Sequence, residues 1–244
     1  MRIPRIYQAI ETLTENPIQL DELASRHLVQ VLRLRADDPF ILFNGMGNAW
    51  QAKIHTAEKK RARATILEEM ESKSESPLDI HLGLGISKGE RMDYAIQKAV
   101  ELGVRSITPL ETRYSMVKLD DRRKEKRHQH WQGVIISACG QCGRNLLPTL
   151  HLATDNNSWI KSANAEQKLI LDPTAAHTLS EVADNPVSVS LYIGPEGGLS
   201  DDEIAYAKQH GFTGVQLGPR ILRTETAVVA ALTAVQVVWG DLNQ

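Results

Sequence analysis

Two short segments near the carboxyl end hold residue types suited to gripping a small ligand. The first is Gly194-Pro195-Glu196-Gly197-Gly198, directly after the apolar run 187–193. The second is Gly218-Pro219-Arg220-Ile221-Leu222-Arg223-Thr224-Glu225-Thr226, after the run 214–217. Glycine lets a ligand approach the backbone closely, and proline stiffens the loop that presents it. Bare backbone N–H and C=O groups in such loops can hold an adenine and a ribose. Two tight structural turns would explain each glycine singly. They would not explain a duplicated Gly-Pro with Arg223 and Glu225 beside it. Ser200 and Glu203 have the spacing of a capping box, so a helix opens straight after the first loop.

Three other clusters carry weaker signals. Gly83-x-Gly85-x-x-x-Gly89, with Glu111 as ribose partner, approaches a dinucleotide fingerprint but is one residue out of register. Its glycines also fall inside a strand pattern, where small residues let a helix pack closely. Cys139-Gly-Gln-Cys142 has redox or zinc spacing, yet it closes a helix rather than opening one and has no second ligand pair. The run Arg122-Arg-Lys-Glu-Lys-Arg127, followed by His128, His130 and Trp131, reads equally as solvated surface or as a phosphate-contacting patch.

The elements that must position these residues fall into two parts. Residues 68–77 (EEMESKSESP) have linker composition. The front part predicts strands over 40–43, 49–54 and 62–67, with a tight Asn44-Gly45 hairpin between the first two. One helix is expected over 21–34, with Leu23, His27, Leu28, Val31 and Leu32 on its buried face. The back part alternates strand and helix. Strands are expected at 79–86, 106–110, 168–171, 187–193 and 214–217, and helices at 91–102, 122–139 and 201–210, with an apolar helix at the end. That pattern predicts an α/β domain with a parallel sheet, whose ligands gather at the carboxyl ends of strands.

Composition bounds the function. The 244 residues hold 28 basic and 30 acidic side chains, a net charge of −2. Attachment to nucleic acid or membrane by bulk charge is excluded, a local basic patch is not. Two cysteines cannot staple a chain this long, which points to a reducing, cytoplasmic location. The start of the chain lacks an apolar run of leader length, and the apolar run 227–239 is too short to span a bilayer.

With both Gly-Pro loops read, IGPEGGLSDDEI (193–204) and LGPRILRTETA (217–227) closely resemble the two carboxyl-terminal motifs of SPOUT-class methyltransferases. RIPRIY (2–7), HLVQVLRL (27–34), FNG (43–45), QKAVELGV (97–104) and QCGRN (141–145) resemble the RsmE type, the uridine N3-methyltransferases of 16S ribosomal RNA. Gly140 departs from that pattern, which has glutamate there. The resemblance implies a PUA-like β-barrel that holds RNA over 1–72. Over 73–244 it implies an α/β SPOUT methyltransferase domain with a carboxyl-terminal trefoil knot. It implies a cytoplasmic homodimer that acts on 16S rRNA or the 30S subunit and uses S-adenosylmethionine (SAM) without a metal or a membrane. The implied cofactor residues are Leu171, Ile193, Gly194, Pro195, Gly197, Gly198, Leu217, Gly218, Ile221, Leu222 and Thr224. Arg223 would stabilise charge on the uracil, with Glu225 and Glu196 as candidate proton acceptors. Arg2, Arg5, Arg33 and Arg144 would contact RNA. A nicotinamide dehydrogenase built on Gly83 and Gly85, a non-catalytic RNA-binding module, and a SPOUT enzyme with another RNA target are the competing readings.

Overall fold

A computed structural model describes residues 3–71, 74–115, 121–182 and 185–243, with the side chain of residue 121 left out. Contacts group the chain into two units, 1–75 with 136–147, and 76–135 with 148–244.

The first unit holds β1 (Arg5–Tyr7), β2 (Ile18–Gln19), α1 (Glu22–Arg26), β3 (Pro39–Phe43), β4 (Ala49–Thr56) and β5 (Arg63–Met70). They form a five-stranded sheet in the order β1-β3-β4-β5-β2, in which only β1 and β3 run parallel. Alternation along the strands buries Phe40 and Leu42 of β3 with Trp50, Ala52 and Ile54 of β4. The expected tight hairpin is instead a five-residue loop. Asn44 braces it, its side-chain oxygen accepting the Met46 and Asn48 N–H groups. The helix expected over 21–34 is also corrected. α1 lasts five residues and passes into a π-helical turn, His27–Val31. Ala24, Ser25 and Leu28 are the buried positions, while Leu23 and Val31 are 79% and 68% exposed. The wider turn breaks the 3.6-residue period on which that expectation rested. The polar stretch 68–77 is partly strand, since β5 continues to Met70.

The second unit is a parallel sheet. Its strands are β6 (Asp79–Gly85), β7 (Ser106–Glu111), β8 (Thr149–Leu150), β9 (Thr154–Asp155), β10 (Gln167–Leu171), β11 (Ser188–Ile193) and β12 (Thr213–Val215). Their order is β12-β10-β11-β6-β7-β8, and β9 also pairs with β7. The helices are α2 (Glu90–Glu101), α3 (Asp121–Cys142), which from residue 136 counts with the first unit, α4 (Asn156–Ser162), α5 (Asp201–Gln209) and α6 (Thr224–Trp239). On one sheet face Ile80, Leu82 and Leu84 are fully buried. On the other, Trp159, Tyr192 and Phe212 form a ring cluster with centroids 5.7–6.5 Å apart. Trp159 packs so tightly on β6 that a Cβ at Gly83 would lie 2.6 Å from its ring. α6 packs against α2, and the buried Gln236 side chain donates to the Leu102 carbonyl and accepts the Ser76 hydroxyl.

Candidate active site

The carboxyl ends of β10, β11 and β12, three neighbours in the sheet, open into one cavity of about 200 Å³. Both Gly-Pro loops line it. Leu171, Ile193, Gly194, Pro195, Gly198, Leu217, Gly218, Ile221, Leu222 and Thr224 all stand in its wall. Gly197 stands outside it, against Tyr114, where a Cβ would come within 2.7 Å of the Tyr114 Cβ. Gly198 and Gly218 turn the two loops with φ of 72° and 76°, a region that disfavours side chains. Gly85 makes a different allowance: a Cβ there would strike the nitrogen and ring of Pro195. The bare end of β6 therefore lets the first loop cross.

Behind that loop the capping box forms as its spacing predicts. Glu203 Oε2 accepts the Ser200 N–H at 2.8 Å, and Ser200 Oγ accepts the Glu203 N–H at 3.4 Å. Glu203 Oε1 also takes the Arg113 N–H at 2.9 Å and the Asn156 amide at 3.1 Å. One buried carboxylate thus ties the start of α5 to the end of β7 and to α4.

Arg223 is exposed at the N-cap of α6, in extended backbone between two wall residues, with no capping side chain. Glu225, in the first turn of α6, is partly buried, and its Oε2 has no hydrogen-bond partner among the described residues. Glu196 is differently placed. Its Oε1 accepts the Lys88 N–H at 3.0 Å and lies 3.4 Å from the Arg91 guanidinium. Partial burial pushes the carboxyl up, but those donors outweigh it and hold it below the ordinary carboxylate range. Its Oε2, like that of Glu225, has no hydrogen-bond partner among the described residues.

The remaining candidates lie away from this cavity or outside the described residues. Glu111 pairs with Lys124 of the basic run at 3.1 Å, and Gly83 makes room for Trp159, so the dinucleotide reading finds no support. Cys139 is fully buried, its thiol pushed up to about 12 by burial. Among the described residues no three metal-ligating side chains cluster. Arg144 is 3% exposed and meets Glu75 through Nε and Nη2, at 3.0 and 2.8 Å. Arg5 reaches Asn145 and lies 5.3 Å over the Phe43 ring. Arg33 is exposed with φ of 58°, and Arg2 lies outside the described residues.

The model of an RNA methyltransferase domain matches residues 74–236, and that of an RNA methyltransferase PUA domain matches 20–67. The ribosomal RNA small subunit methyltransferase E of Buchnera aphidicola (subsp. Schizaphis graminum) is 39% identical over 99% of both chains. The chain belongs to the ribosomal RNA small subunit methyltransferase E family. Two solved structures agree. One, from Legionella pneumophila and described as a methyltransferase in complex with SAM, superposes with a TM-score of 0.96 at 42% identity, covering 99% of this chain and 100% of its own. The methyltransferase E of Neisseria gonorrhoeae, bound to S-adenosyl methionine, gives 0.92 at 38% identity, with the same coverage. The fold is thus that of this family, an α/β methyltransferase domain with a PUA-like domain.

Sequence reasoning missed part of this methyltransferase's cavity. Asp172 and Pro173 also line it, as do Leu199, Gln216 and Ala227. Leu171-Asp172-Pro173 is a third strand end followed by proline, beside the two Gly-Pro loops, and that signal could have found them. The Asp172 side chain is nearly fully buried and meets Lys208 at 2.9 Å. Burial pushes its carboxyl up, but Lys208 and Thr174 outweigh that and hold it below the ordinary value of 3.8.

Proposed function

We propose that the chain transfers a methyl group from SAM to N3 of a uracil at one specific uridine of 16S rRNA in the small ribosomal subunit. The observation that carries this reading is the convergence of both Gly-Pro loops on a single cavity at three strand ends. The wall fits such a cofactor. Leu171, Ile193 and Leu222 offer apolar surface, and glycines 194, 198 and 218 leave backbone bare for hydrogen bonds. When bound, SAM supplies an electrophilic methyl on a sulfonium leaving group, so no metal is needed.

The chain's residues do the rest. Neutral uracil N3 carries a proton and no free lone pair, so a base must take that proton. Glu225 is the acceptor we favour, because it follows the wall residue Thr224 and no donor among the described residues bonds its carboxylate, whereas Glu196, whose Oε2 is likewise unpartnered, holds the Lys88 N–H and Arg91 on its other oxygen. The charge that develops spreads onto O2 and O4, where the Arg223 guanidinium would stabilise it. The target must be splayed from its stack, since N3 lies on the pairing edge.

The finer architecture belongs to the same reading. A carboxyl-terminal trefoil knot is supported by segment 218–223. It leads from the edge strand β12 to a helix that packs on α2, while Pro195 crosses the bare end of β6. The PUA-like domain would hold RNA through exposed Arg33, and through Arg2. Half-buried Arg5 and buried Arg144 would shape that surface from behind. Exposed Ile221, Val237, Val238 and Leu242 support a homodimer, working in the cytoplasm. The test is transfer from labelled SAM to 30S subunits lacking N3-methyluridine, with free rRNA and transfer RNA alongside, followed by nucleoside analysis. Labelled N3-methyluridine in ribosomal RNA alone is the expected result. Label elsewhere would replace the substrate, and failure to bind SAM would overturn the site.

A further inference from the structure

A second cavity of the methyltransferase unit, about 530 Å³, lies on residues the proposed chemistry does not use. It opens on the face of β11, β6 and β7, beside α4. Pairing puts Ser190 opposite His81 and His81 opposite Ser106, one polar row across three adjacent strands, and Thr108 follows two residues along β7. A parallel sheet is ordinarily covered on both faces by aliphatic side chains. A row of Ser, His and Ser there is costly unless its polar groups find partners.

Only part of the row finds them. His81 Nδ1 lies 2.7 Å from Ser106 Oγ, and Nε2 lies 3.3 Å from the Asp79 carboxylate. Ser190 and Thr108 are 2% and 6% exposed, both line the cavity, and neither hydroxyl has a partner among the described residues. The wall continues with His151, Ser158, Asn164 and the edge of Trp159. Among the described residues no lysine, arginine, aspartate or glutamate lines it. Burial first, then the nearby His81, pulls the His151 imidazole below its ordinary value. An ionic ligand would meet no ammonium, guanidinium or carboxylate in that wall. A neutral molecule with a flat ring and several hydroxyl or amide groups would meet hydroxyls, imidazoles and an indole edge. The volume lies in the range of about 300–1,000 Å³ typical of small-molecule sites.

We propose that this cavity is a second binding site, for the neutral base-and-ribose portion of a nucleoside. The ligand is either a free nucleoside or one unstacked nucleotide of an RNA. The inference stands on this face of the sheet alone and is independent of how the Gly-Pro loops are read.

The test follows the imidazole C–H signals of the full-length protein by NMR as uridine, or separately a short oligouridine, is added. The expected result is saturable shifts of both His81 and His151. Ser190→Ala combined with Thr108→Val should weaken binding about tenfold or more, with melting temperature and SAM binding unchanged. Shifts with free uridine identify a nucleoside site. Shifts with the oligonucleotide alone identify a nucleotide of RNA. If the double variant melts early, Ser162→Trp, an exposed position at the end of α4 that lines the cavity, should abolish the shifts instead. Still signals with both probes, or shifts that no variant weakens, would overturn the proposal.

Discussion

Glu196 and Glu225 each follow a residue of the cavity wall, Pro195 and Thr224, and their surroundings differ. Glu225 has a buried oxygen without a partner, while the same atom type on Glu196 is backed by an oxygen that holds the Lys88 N–H. Glu225→Gln should therefore lower methyl transfer by about 10²–10⁴-fold, the usual worth of a positioned base, with SAM affinity kept. Glu196→Gln should instead loosen the first Gly-Pro loop and weaken SAM binding. Steady-state kinetics beside calorimetric titration separates the two. Asp172 gives a pH signature. Its carboxyl is held below 3.8 in the folded state, so its contribution is fully present above that value and is lost as pH falls through the lower folded one. The stability gap between the wild type and Asp172→Asn, measured by urea unfolding, should be constant near neutrality and shrink as pH drops below about 4. A gap that widened in acid would refute this account.

Elements meet at points where a single atom decides the fit. A methyl added at Gly85 would strike Pro195, and one at Gly83 would enter the Trp159 ring. Both alanine variants should lose about 1–3 kcal/mol of stability, as overpacked cores do. Only Gly85→Ala should also lose SAM binding, because only it pushes a wall of the cavity. Glu203→Ala removes a helix cap and leaves the Arg113 N–H and the Asn156 amide without their acceptor, so denaturant unfolding should show a loss of about 2–4 kcal/mol. Elements with strong local signals were legible in the sequence. Capped α5, Gly-terminated α2 and the long apolar strands lie within a few residues of where periodicity puts them. Elements made by tertiary context were not. α4 is seven residues with Asp155 as its one local signal, and β2, β8 and β9 are two-residue strands that exist only through their neighbours. The two Gly-Pro loops were legible as a pair because each repeats the other's grammar. Asp172 was missed because a lone Asp-Pro after a strand reads as an ordinary turn. The burial of Arg144 was not legible, because no sequence rule announces that it will pair with Glu75, 69 residues away.

For the whole molecule, a ligand that binds only the folded state stabilises it by mass action, about 2.7 kcal/mol at a hundredfold excess over its dissociation constant. SAM should thus raise the melting temperature in proportion to the logarithm of its concentration, and NAD should not. With a net charge of −2, RNA binding must come from local patches and should fall steeply with added salt. A salt-independent affinity would contradict that. The wall of the cavity proposed for SAM also has a direction in time. Its first contributions come from residues 171–173, its second from 193–204, and its last from 215–227 of a 244-residue chain. During synthesis, a chain halted at Gly211 would carry two of the three strand ends and no closing side. Such a fragment could fold much of its sheet and still be blind to the methyl donor. A chain cut at Gly211 should therefore show no methyl transfer at all rather than a weakened one, because a whole side of the cavity wall, 215–227, is missing.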